Sequence, residues 1–116
     1  MRVQLDGQTI RLRLQDAEFE ALLGGDAVEN RTTLPDGTLS LQRVRTGPEA
    51  GLHAHQGQWQ FVLPTEALHA YRQRLPTRDG LHFTLGEGDT ALDLHFDVDV
   101  RDHVRRHPPH TPRNAG

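Results

Sequence analysis

The chain has no cysteine and no lysine, and it has one serine, one tyrosine and one tryptophan in 116 residues. Without cysteine there is no disulfide, no thiolate nucleophile and no sulfur ligand for a metal, and a cytoplasmic setting is the simplest expectation. The lone serine, Ser40, has no glycine elbow around it. No phosphate loop and no dinucleotide fingerprint occurs either, so the common nucleophile and nucleotide motifs are absent. No apolar run approaches the roughly 18 to 20 residues that span a bilayer. The opening "MRVQLDGQTIRLRL" alternates polar and apolar residues, where a secretory leader would be continuously apolar. Tyr71, Trp59 and the phenylalanines fit core stripes, which leaves no aromatic platform for stacking bases. With a formal net charge of −3, neither a nucleic-acid nor a membrane partner is expected.

What is present is arginine, thirteen of them, and eight histidines. GC-rich coding enriches both, so histidine placement carries more information than histidine number. The length suits one domain with one core.

Four hairpins can be read. Asp6-Gly7 turns "VQLDGQTIRLRL" and puts Val3 opposite Ile10. Asp36-Gly37 turns the second and sets Leu34 opposite Leu39; a bulge near Gln42-Arg43 would bring Val44 to the core. Gln56-Gly57 turns the third, with Leu52 facing Phe61 and Ala54 facing Trp59. Gly88-Asp89 turns the fourth, pairing Leu85 with Leu92, Phe83 with Leu94 and His82 with His95. Two helices intervene. "QDAEFEALLGG" places Phe19, Leu22 and Leu23 on one stripe, with Asp16 as N-cap and glycines as the stop. "PTEALHAYRQRLP" does the same with Leu68, Tyr71 and Leu75, with Thr65 as N-cap.

The predicted fold is α+β: an antiparallel sheet of about eight strands, open or curled into a partly closed barrel, with two short helices on its apolar face. The order is a ββαββ pseudo-repeat, with halves at 1–45 and 50–100 of a single domain over 1–104. The segment 105–116, rich in proline, arginine and histidine, is predicted to be a flexible tail.

The stretches "TIRLRL", "DAEFEALL" and "GDAVENRTTLPDG" resemble the N-terminal third of a small family of uncharacterised bacterial proteins. Members open with a short strand, then "IRLRL", an acidic helix, a "G-x-V-E-E-x-T"-like strand and a glycine turn. The closing "ALDLHFDVDVRDH" is similar to the family's last strand. Arginine, histidine and proline here replace the family's lysines and terminal acidic segment. The resemblance implies the fold and transfers no activity and no site residue.

Three polar faces could carry chemistry. His82 and His95, opposed across a hairpin, come within reach of one divalent ion, with Asp97 or Asp93 as an oxygen neighbour. A solvated sheet face explains the same residues. His53 and His55 point the same way from one strand, and a polar face with Gln58 and Gln60 explains them as well. Arg11, Arg13, Arg31, Arg43 and Arg45 would form an anion-binding ridge if their strands were neighbours. Pairing with Glu18, Glu29 and other acids is the competing account. The leading expectation is a non-enzymatic binding or accessory domain, with a small anion or a protein as partner. The alternatives are a divalent-metal-binding domain and a metal-dependent hydrolase of an anionic phosphate substrate.

Overall fold

The computed structural model describes residues 1–108, so the rest of the expected tail lies outside the described residues. The elements are β1 (Arg2–Asp6), β2 (Thr9–Leu14), α1 (Asp16–Leu23), β3 (Val28–Thr33), β4 (Leu39–Gly47), β5 (Gly51–His55), β6 (Gln58–Pro64), α2 (Thr65–Arg74), β7 (Leu81–Leu85), β8 (Leu92–Val98) and α3 (Val100–Arg106). A single 3-10 turn, Gly88–Thr90, joins β7 to β8. No helix among the described residues is long and apolar enough to cross a membrane.

All four hairpins form, but they do not share one antiparallel sheet. The first and last make a sheet of order β1-β2-β8-β7, and the middle two make one of order β3-β4-β6-β5. The inner strands, β2 with β8 and β4 with β6, run parallel. Both sheets are therefore mixed and open-edged, which corrects the single sheet and the partly closed barrel. The halves 1–45 and 50–100 are interlocked, since each sheet takes one hairpin from each.

The reason lies in coverage. Eight strands side by side would be nearly 40 Å wide at about 4.8 Å each. Helices of eight and ten residues are only about 12 and 15 Å long. They cannot cover such a sheet, whereas two sheets with the helices share one core. That core joins Ile10, Leu12 and Leu14 of β2, Val44 of β4, Phe61 and Leu63 of β6, and Leu94, Phe96 and Val98 of β8 with Phe19, Leu22, Leu68 and Tyr71 of the helices. Phe19 meets Tyr71 at 5.7 Å and Phe96 at 5.9 Å between centroids. The Tyr71 hydroxyl oxygen accepts a hydrogen bond from the Val98 amide at 3.0 Å. Leu5 on the edge strand β1 is 60% exposed and Leu34, past the end of β3, is 43% exposed, so neither joins this core.

The third and fourth hairpins have the predicted registers, including Leu52 opposite Phe61 and His82 opposite His95. In the first, Val3 faces Leu12 and Leu5 faces Ile10. The turn is Gly7-Gln8, with Gly7 at φ 55°. This two-residue displacement leaves every face unchanged, because the side-chain period is two. In the second, Thr33 faces Leu39 and the ladder runs unbroken to Val28 opposite Val44. There is no bulge at Gln42-Arg43. Val44 points inward with Val28 and Phe61 by simple parity, and Leu41 is the residue that faces out with Arg43 and Arg45. Leu41 is still buried, beside Arg31 and Gln58 in register.

Candidate metal centre

The parallel pairing of β2 with β8 builds the site. Leu14 and Val98 are register partners at the ends of the two strands, and each strand runs directly into a helix. Gln15 caps α1 and Asp99 caps α3. The Asp99 amide donates to the Leu14 carbonyl at 2.9 Å, so the two helices start side by side. The Asp99 carboxylate accepts from the amides of Arg101 and Asp102 at 2.9 and 3.3 Å, which starts α3. The Asp16 amide donates to Asp102 Oδ2 at 2.6 Å and ties the two helix starts together. Asp16 is thus the first helical residue and not the cap, so its carboxylate is available for other partners.

Those partners are on α3 and just beyond it. Asp16 Oδ1 lies 2.5 Å from His103 Nδ1, and Asp16 Oδ2 lies 2.6 Å from His107 Nε2. The two imidazoles stack with centroids 4.5 Å apart. Arg106 reaches Asp16 Oδ2 at 3.3 Å and Glu20 Oε2 at 3.4 Å. Glu20 Oε1 is 3.3 Å from His107 Nε2. Asp16 and Glu20 are four apart on one helix, and His103 and His107 four apart along the other segment, so each pair shares a face. The side chain of Asp16 is 2% exposed, that of His103 14% and that of His107 43%. The site is therefore closed at its base and open at its rim.

Burial pushes the Asp16 carboxyl up, but hydrogen bonds from His103 and His107, with their charge, outweigh it and hold the group below its ordinary value. An ionised carboxylate only accepts, so the ring nitrogens facing Asp16 donate to it. Among the described residues, Asp16, His103 and His107 form a group of three whose ligand atoms lie within 4.8 Å of one another. A divalent ion would replace the hydrogen bonds between them. Each imidazole would then turn a lone pair inward and carry its proton on its other nitrogen.

The residues singled out from sequence fall elsewhere. His82 and His95 do face each other, and their rings stack at 4.5 Å on the outer face of the β1-β2-β8-β7 sheet. Asp97 does not join them: Arg13 grips its two oxygens at 2.8 and 3.1 Å. Asp93, the other expected oxygen neighbour, has its Oδ1 3.4 Å from His82 Nε2. The arginine ridge does not assemble. Arg11 and Arg13 stand on one sheet, in register with His95 and Asp97. Arg43 and Arg45 stand on the other, where Arg43 pairs with Glu29 at 2.5 Å. His53 and His55 face Gln60 and Gln58, as predicted.

The sequence reading does not reach this centre, because it predicts a flexible tail from residue 105 onward. In the structure α3 runs to Arg106, and His107 follows it in the cluster. Pro108 and the residues after it suggested a loop, yet "DVRDHVRRHP" carries a helix signature: an aspartate cap, histidines four apart and a proline after the end. "DAEFE" likewise sets two acids four apart. The spacing was legible, and the meeting of the two segments was not. The chain matches no protein-family model and no curated protein.

Proposed function

We propose that this chain is a small binding domain whose ligand is a borderline divalent cation such as Zn²⁺, held by Asp16, Glu20, His103 and His107. The observation that supports this reading most is the convergence of a buried carboxylate and two imidazoles, atom against atom, from segments 87 and 91 positions apart. Mixed nitrogen and oxygen donors suit Zn²⁺, Ni²⁺ or Fe²⁺ more than Ca²⁺ or Mg²⁺. The ion would clip α3 onto α1. Asp102, bonded to the Asp16 amide, would hold the carboxylate in place, as outer partners do in metal sites.

Binding is favoured over hydrolysis of an anionic substrate. Arg11 and Arg13 stand on one sheet and Arg43 and Arg45 on the other, so among the described residues they form no single arginine ridge for such a substrate. A cytoplasmic setting is part of the proposal and rests on the cysteine-free sequence. Kinship with the uncharacterised bacterial family, on the N-terminal pattern, is proposed as well.

The test is titration of the metal-free chain with Zn²⁺, Ni²⁺ and Mg²⁺, followed by calorimetry and thermal melting. One equivalent of Zn²⁺ is expected to bind and raise the Tm. At a hundredfold excess over Kd the stabilisation is about 2.7 kcal/mol. His103→Ala with His107→Ala should abolish the effect, whereas His82→Ala with His95→Ala should leave it intact. A stabilisation that survives the first pair of substitutions would overturn the assignment.

A further inference from the structure

A groove of about 570 Å³ runs beside the end of β8 and the start of α3. It is lined by Arg2, Arg13, Arg78 and Arg101 against Asp97 and Asp99, with Thr77, Val98 and Val100 completing the wall. The four arginines come from β1, β2, the loop before β7 and α3. Both carboxylates are already engaged. Asp97 is held by Arg13, and Asp99 accepts the two backbone amides that begin α3. Arg2, Arg78 and Arg101 make no ion pair among the described residues and are exposed. Four guanidiniums against two carboxylates leave the wall of the groove at a formal charge of +2, on a chain whose net charge is −3.

A second observation points to a ligand. Arg2 and Arg13 are register partners on antiparallel strands. Like charges directly opposite one another on a sheet destabilise it, and Asp97 neutralises only Arg13. A cost kept in the folded state at a concave surface is characteristic of a functional site. The groove size falls in the range of small-molecule sites.

We propose that this groove binds a small, multiply charged oxyanion, with Arg2, Arg78 and Arg101 as its ligands and Arg13 oriented by Asp97 at its edge. Guanidinium groups recognise phosphate and carboxylate oxygens bidentately. Three of them converging from separate elements suit several linked oxyanion groups better than one. None of these residues belongs to the Asp16 centre, so this site stands independently of the proposed cation.

The experiment uses the full chain, freed of metal on a chelating resin, at about 0.15 M salt, where diffuse surface attraction is screened. Tripolyphosphate, citrate and inorganic phosphate are titrated by calorimetry. Tripolyphosphate or citrate is expected to bind one to one and at least tenfold tighter than phosphate; which of the two is tighter separates a phosphate ligand from a carboxylate one. Arg78→Ala with Arg101→Ala should weaken binding about tenfold or more, and Arg43→Ala with Arg45→Ala should not. Arg2→Gln should weaken binding while leaving the Tm unchanged or higher, since it relieves the repulsion with Arg13. Absence of stoichiometric binding, or equal loss in the two double variants, overturns the proposal, as does a fall in Tm for Arg2→Gln with binding intact.

Discussion

His103 Nδ1 sits 2.5 Å from Asp16 Oδ1, across 87 positions of sequence. The same carboxylate meets His107 and Arg106 through its other oxygen. One buried side chain thus anchors the last helix to the first, and its removal should be felt more than that of any exposed acid.

Asp16→Ala should destabilise the metal-free protein by about 1–3 kcal/mol, the cost of stripping buried donors of their acceptor. Asp97→Ala removes a pair with Arg13 whose side chains are 51% and 32% exposed. It should cost about 1 kcal/mol or less. Urea unfolding of both variants gives the comparison, and equal losses would refute the central role of Asp16.

Arg106 holds the positive charge that a cation would bring. Arg106→Gln should therefore strengthen Zn²⁺ binding severalfold. It should also lower metal-free stability slightly, by about 1 kcal/mol or less for a partly exposed pair. Calorimetry on the variant decides between a cation site and a purely structural ion-pair cluster, for which the substitution would bring no gain in metal affinity.

The Asp16 carboxyl is held below its ordinary value of 3.8. A depressed folded-state value stabilises the fold above the unfolded value, and that contribution is lost as pH falls through the folded one. The metal-free stability difference between the wild type and Asp16→Asn should therefore be fully present at about pH 5, above the unfolded value. It should shrink below about pH 4. Denaturant midpoints measured from about pH 5 down to about pH 3 check the sign; a gap that widens over that range would contradict it.

The Tyr71 hydroxyl accepts from the Val98 amide inside the core. Burial raises its phenol above the ordinary value, so it stays protonated at neutral pH. Tyr71→Phe keeps the ring packing and orphans the amide at the end of β8. The expected loss is about 1–3 kcal/mol, or several degrees of Tm. Because Val98 leads directly into α3, Zn²⁺ affinity should weaken with it.

The sequence alone determined the local structure. Alternation of apolar residues and glycine turns set the four hairpins, and two registers came out to the residue. Helical spacing set α1 and α2. These are short-range matters, decided by φ/ψ preference and by which side chains share a face. Even the displaced first turn did no harm to the prediction, since a shift of two residues keeps every side chain on its side.

What the tertiary structure decided is which hairpins meet. Nothing local in Thr9–Leu14 or Leu92–Val98 says that they pair, and pair parallel; that follows from burying the apolar faces of two sheets and two short helices in one core. The parallel pairing then aligned the ends of β2 and β8, started α1 and α3 from neighbouring points, and carried Asp16 to His103 and His107. His82 and His95 were legible because a turn joins them. The Asp16 centre was not, because its halves are related only through the packing of the whole fold.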